Sequence, residues 1–148
     1  MTDYKLLCQE LAALSNGISY PLTVLANASA LLYHSLDDLN WAGFYLLMDG
    51  KLVLGPFQGK PACTEIAIGK GVCGTAVAAR QTQLVPDVHA FPGHIACDSA
   101  SNSEIVVPVY KDTDVIGVLD IDSPTKGRFT VEDQVGLETF VHVLERYL

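Results

Sequence analysis

The sequence predicts one α+β domain, with a central antiparallel sheet held between helices from the two ends of the chain. Three observations carry this reading. Apolar residues recur at helical spacing near both termini, and two hairpin signatures lie between them. A chain of 148 residues is about one domain's worth, able to bury a core without disulfide staples.

At the N-terminus Tyr4, Leu7, Cys8, Leu11 and Leu14 recur at helical spacing, and Asn16-Gly17 supplies a stop. Pro21 suits the first turn of a second helix, in which Leu22, Leu25, Ala26, Leu32 and Leu36 again recur at three and four. The runs WAGFYLLM and KLVLGPF follow, joined by Asp49-Gly50, both of which tolerate positive φ. They predict an antiparallel hairpin. ACTEIAI reads as a third strand, and GKGVCGTAVAAR as a tight glycine turn opening a short helix. From Gln83 to Asn102 prolines, glycines and histidines break any periodicity, which predicts a loop or lid. Long ordered loops in compact domains usually carry function. EIVVPVY and DVIGVLDID, around the turn Lys111-Asp112-Thr113, predict a second hairpin. After Thr130, which forms a variant capping box with Asp133, the residues Val131, Leu137, Val141, Leu144 and Leu148 mark the last helix.

Composition narrows the function. A net charge of -8 and a pI near 4.7 offer no basic face for phosphates, which argues against nucleic acid as a partner. No segment reaches the roughly twenty apolar residues needed to cross a bilayer, and the N-terminus lacks the basic and apolar regions of an export signal. These features predict a soluble, cytoplasmic protein. In a reducing compartment, clustered thiols are more often redox-active or metal-binding than structural.

Cys63, Cys73 and Cys97 share one Gly- and His-rich third of the chain. Cys97 lies in the long loop near His89 and His94, a polar and accessible setting that favours a thiolate nucleophile. Cys73, in GKGVCGT, precedes a helix whose N-terminus would lower its pKa, and is the best candidate for a resolving thiol. Cys63 reads equally well as a packed thiol, and Cys8 lies on an apolar helical stripe. Zinc is the competing use of these residues. Its sites usually present ligands in close pairs, and only His94 with Cys97 fits, so no metal is expected. The glycines of GKGVCG lack the spacing of a phosphate-binding loop.

Asp120 and Asp122, two apart in a strand, share a face, while Leu119 and Ile121 share the other. Glu104 begins the neighbouring strand. Clustered carboxyls raise one another's pKa, so the trio suits proton chemistry, although a solvated strand end is the plain alternative. Trp41 and Tyr45 also share a strand face, as core or as pocket wall.

WAGFYLL, GPFQGKPACTEIAIGKGVCGTA, VPDVHAFPGHIACDSASNSEIVVPV and GVLDIDSP, in this order, closely resemble the free methionine-(R)-sulfoxide reductases, a family built on a GAF-type domain. The resemblance covers nearly the whole chain. It implies a six-stranded antiparallel sheet, usually in a homodimer, and reduction of free L-methionine-(R)-sulfoxide with recycling by thioredoxin and no bound cofactor. It also implies that Cys97 is catalytic, that Cys73 forms the disulfide with it, and that Cys63 has a supporting or alternative recycling role. By the same resemblance Trp41 and Tyr45 wall the substrate pocket, and Glu104, Asp120 and Asp122 bind the sulfoxide and ammonium groups. Asp122 coupled to Glu104 is expected to activate the sulfoxide oxygen, with Asp120 orienting the ammonium. A redox-sensing or effector-binding module is the rival reading, separated from an enzyme by turnover.

Overall fold

A computed structural model describes residues 1–148. Its elements run α1 (Tyr4–Ser15), α2 (Pro21–Ser35), β1 (Trp41–Met48), β2 (Lys51–Gly59), β3 (Glu65–Ala67), α3 (Gly71–Ala79), β4 (Gln83–Val85), a single 3-10 turn (Val88–Ala90), β5 (Ser103–Lys111), β6 (Asp114–Ser123) and α4 (Val131–Glu145). The strands form one antiparallel six-stranded sheet in the order β3-β2-β1-β6-β5-β4. The α+β class and the six-stranded antiparallel sheet are therefore as expected.

Local chemistry sets the boundaries. Asp3 caps α1 through a bond from Leu6 N, and Pro21 occupies the start of α2. At the β1–β2 turn Asp49 and Gly50 both take positive φ, 53° and 78°, the geometry that matches a tight hairpin to strand twist. Thr130 and Asp133 complete a reciprocal capping box on α4. Tyr4 donates to Asp133 at 2.6 Å, tying α1 to that cap.

Both faces of the sheet are covered, so the strand alternation sorts residues into two cores. Ala42, Phe44, Ile105, Val107, Leu119 and Ile121 pack beneath α1, α2 and α4. Trp41, Tyr45, Val106 and Val118 face the opposite way, toward α3 and the long loop. This second face carries the site.

Three details differ from the sequence reading. Only Glu65–Ala67 of ACTEIAI joins the sheet, which leaves Cys63 off the ladder. The predicted loop opens with β4, whose three residues pair with β5 from Gln83↔Val106 to Val85↔Glu104; a strand this short shows no periodicity. Leu14, Leu22, Ala26 and Val131, placed on apolar stripes, are exposed, Leu22 and Val131 in the first turns of their helices.

Candidate active site

Register gathers the acidic trio. Asp122 of β6 stands between Trp41 of β1 and Glu104 of β5, and Asp120 lies between Gly43 and Val106. Alternation then points Glu104, Asp120 and Asp122 into the α3 face of the sheet, beside Trp41 and Tyr45. Glu104 and Asp120 are only 7% and 6% exposed. The plain alternative of a solvated strand end is thereby overturned.

Three carboxyls in one buried place cannot all ionise. Burial pushes each upward, and Glu104 and Asp122 rise well above the ordinary carboxylate range under the further repulsion of Asp120. Asp120 is also raised by burial, but hydrogen bonding with Glu104, Cys73 and Asp122 and the charge of His94 draw it back. The three carboxyls are thus pushed up unequally, Glu104 and Asp122 well above the ordinary range and Asp120 with more opposing it. One oxygen each of Asp120 and Asp122 is buried without a hydrogen-bond partner. Buried polar atoms of that kind ordinarily mark a place for a ligand or water.

The aromatic wall is fixed from behind. Trp41 stacks on Tyr45 and Phe57 at centroid distances of 5.8 and 5.2 Å. Its indole donates to Lys60 O at 3.1 Å, and the Tyr45 hydroxyl donates to Cys63 O at 2.9 Å. Tyr45 therefore holds the segment that presents Cys63. Burial, followed by the charge of Asp120, pushes the Tyr45 hydroxyl pKa up.

α3 closes the second side. A Cβ on Gly74 would collide with Ala67 O, and Gly69 N donates to Gly74 O at 2.8 Å, so glycine lets the first turn of α3 press against β3. Gly71 takes φ +60° beneath Ile95. The loop above is anchored at both ends: Val88 N donates to Asn102 O and Asn102 N to Ser123 O, at 3.0 and 2.8 Å. Asn40 donates to Asp98 Oδ2 at 3.0 Å and to Ser101 Oγ at 2.9 Å. The sequence reading missed Asn40, Asp98 and Ser101 as anchors; Asp98, beside Cys97, carried some local signal and Asn40 none. His94 lines the pocket, with its pKa lowered by burial and then by His89.

The cysteines depart from the expected pairing. Cys97 is bonded to Cys63, with Cα atoms 5.4 Å apart, and Cys73 is free. Cys73 instead lies in the first turn of α3, 4% exposed, with its thiol turned to the acidic trio. Burial pushes that thiol well above its ordinary value, with Asp120 and Glu104 adding to the rise. The expected lowering by the helix N-terminus is overridden, because desolvation and two nearby acids oppose a thiolate more strongly than one partial dipole favours it. Cys8 is half-buried and packs on the first core, as expected.

Together these residues line one pocket. Trp41, Tyr45 and the trio form its floor, Lys70 to Cys73 one side, and His94, Ile95 and Cys97 its cover. With the disulfide in place its free volume is ≈ 40 Å³, room for little more than a water. Cys97 lines it, with Cys63 joined to it through the disulfide.

The GAF domain family model matches residues 23–148. The free methionine-R-sulfoxide reductase of Escherichia coli is 59% identical over 98% of this chain and 88% of its own. The fRMsr of Staphylococcus aureus in complex with substrate superposes with a TM-score of 0.96 at 54% identity, covering 100% of this chain and 97% of that one. The free methionine-R-sulfoxide reductase of Neisseria meningitidis, also in complex with its substrate, gives a TM-score of 0.94 at 41% identity, covering 97% and 86%.

Proposed function

The chain belongs to the GAF domain family and, within it, to the free methionine-(R)-sulfoxide reductases, and from that premise we propose that it reduces free L-methionine-(R)-sulfoxide to L-methionine through Cys97 and Cys63. The observation that supports this most is the pairing, in one pocket, of a redox-joined cysteine with a buried acidic trio.

A sulfoxide sulfur is a poor electrophile until its oxygen is protonated or strongly hydrogen-bonded. Glu104 and Asp122, which hold protons because burial and Asp120 disfavour their charged forms, are the groups to supply that activation. Asp120, the most ionised of the three, pairs with the substrate ammonium. Trp41 and Tyr45 offer apolar surface to the thioether end.

Cys97 attacks the substrate sulfur as thiolate, since it faces the pocket. The oxygen, taking a proton from the acidic trio, passes from the substrate sulfur to Cys97 Sγ: the substrate S–O bond breaks, a Cys97 S–O bond forms, two electrons move from the cysteine to the substrate sulfur, and methionine leaves Cys97 as sulfenic acid. The Cys63 thiol then displaces that oxygen as water, forming the disulfide. An external dithiol, thioredoxin in our proposal, takes up the oxidation and restores both thiols. Cys73 has no part in this exchange. Dependence on reduced thioredoxin suits a cytoplasmic setting, and the family resemblance supports a homodimer, which light scattering tests.

Recognition of the ammonium explains a preference for the free amino acid. A peptide-bound residue presents an amide there and would leave the Asp120 charge buried and unpaired. The test is methionine formation from each diastereomer of free methionine sulfoxide, with thioredoxin, its reductase and NADPH. Turnover of the R form alone supports the reading. A chain that forms the disulfide with oxidants but releases no methionine is a sensor, and the proposal is then wrong.

A further inference from the structure

Cys73 is left without a role once Cys63 and Cys97 share the redox chemistry. It is nevertheless placed with care: the first turn of α3 holds it 4% exposed, and that turn is pressed into place by the bare Gly74 against Ala67 O. Its Sγ and single carboxylate oxygens of Glu104 and Asp120 all lie within 4.8 Å of one another. A thiol there differs from a packed apolar side chain in one respect, its S–H. Asp120 has one buried oxygen without a partner, and its neighbours must share out few protons among several acceptors.

We propose that Cys73 is a positioning residue for Asp120, its S–H donating to the carboxylate so that Asp120 is held ionised and turned toward the substrate ammonium. This rests on the reductase reading given above. The direction of titration agrees: burial first, then the nearby Asp120 and Glu104, pushes the thiol up, and the nearness of Cys73 is among the influences that hold the Asp120 carboxyl down against its own burial. A group that stays protonated is a donor, and a donor is what a buried carboxylate needs. The same pressure that disqualifies Cys73 as a nucleophile suits it to this task.

The pocket that holds Asp120 is lined by further groups that titrate or carry charge: Glu104 on β5, Asp122 on β6, Tyr45 on β1, His94 and Asp98 in the loop, and Lys70 at the N-cap of α3. Of these, Glu104 and Asp122 compete with Asp120 for the negative charge, and His94 favours it when protonated. Losing the Cys73 donor shifts the balance toward a neutral Asp120. The effect belongs in binding of the ammonium, whereas attack by Cys97 and resolution by Cys63 are left intact.

The experiment compares Cys73→Ala, which removes the donor, with Cys73→Ser, which keeps one. Single-turnover reduction gives the rate and half-saturation for free methionine-(R)-sulfoxide, thioredoxin-coupled turnover gives recycling, and calorimetry gives the dissociation constant for free L-methionine on the reduced protein. The Ala variant should bind substrate and methionine about five- to tenfold more weakly, as for loss of one hydrogen bond of ordinary strength from a weak thiol donor, with its saturated rate within about threefold of the parent. The acid limb of its rate-over-KM profile should move to higher pH. Serine should restore binding to within about twofold, and both variants should recycle with thioredoxin as the parent does. Parental binding by Cys73→Ala overturns the inference, and so does a serine variant as weak as alanine, which would mean packing. Loss of recycling alone would return Cys73 to the resolving role. A parent that neither reduces the sulfoxide nor binds methionine would instead sink the reductase reading itself.

Discussion

Replacing Asp122 by Asn should make the protein more stable at neutral pH while slowing its chemistry. Asp122 is held protonated by burial and by Asp120, so its pKa in the folded chain lies above that in the unfolded chain. Between those two values the folded state binds a proton that the unfolded state has released. Stability therefore falls as pH rises from the unfolded value, near 4, toward the folded one, and the loss is complete once the folded group ionises. The slope is about 1.4 kcal/mol per pH unit for each proton held only by the folded state. Asn keeps the shape and never ionises, so parent and variant should match near pH 3.5 and diverge above it. The gap in favour of the variant widens at that slope until the folded group ionises, and each kcal/mol is about 2–4 °C of Tm for a chain of this length. The difference between the two profiles is the quantity to read, because the loss of stability from Asp87 as pH falls, its carboxyl lowered mainly by the backbone hydrogen bond from His89, is common to both proteins and cancels. Urea unfolding between pH 3.5 and 8, with single-turnover rates alongside, makes the measurement. Parallel stability profiles would refute the reasoning, because Asp122 would then be ionised as an ordinary surface carboxylate is, and so would a parental single-turnover rate.

Cys97→Ser should release no methionine even in a single turnover, as measured by amino-acid analysis of the quenched reaction. Cys63→Ser should release one methionine per chain and then stall with thioredoxin, leaving a Cys97 sulfenic acid that dimedone labels. Tyr45→Phe loses the hydroxyl that holds Cys63 O, and should slow disulfide formation more than methionine release, visible as a lag between the two in rapid quench. Gly74→Ala should lower stability by about 1–3 kcal/mol in urea unfolding, since the added methyl meets Ala67 O and Gly69 N, which are backbone atoms.

Much of the fold was legible because its signals are local. Asp49-Gly50 fixes a hairpin by backbone conformation alone, and Thr130 with Asp133 marks a helix start by a reciprocal bond. The acidic trio was also legible, because residues two apart in a strand must share a face, and Glu104 needed only the register of one hairpin to reach Asp122. β4 was not, since three residues carry no period and their pairing with β5 is decided across the sheet. The cysteine pairing failed for a related reason. Sequence places Cys73 at a helix N-terminus, which favours a thiolate, but its burial against Glu104 and Asp120 depends on how α3 docks. Cys63 looked like a strand residue, and it becomes available only because β3 begins after it.

The most direct test is to react the fully reduced chain with one equivalent of free L-methionine-(R)-sulfoxide, quench it with an alkylating agent, and map its thiols by peptide mass spectrometry while counting the methionine formed. One methionine per chain, a Cys63–Cys97 crosslink and alkylated Cys73 and Cys8 are the predicted result. A Cys73–Cys97 crosslink, or methionine released with all four thiols still alkylated, would contradict it.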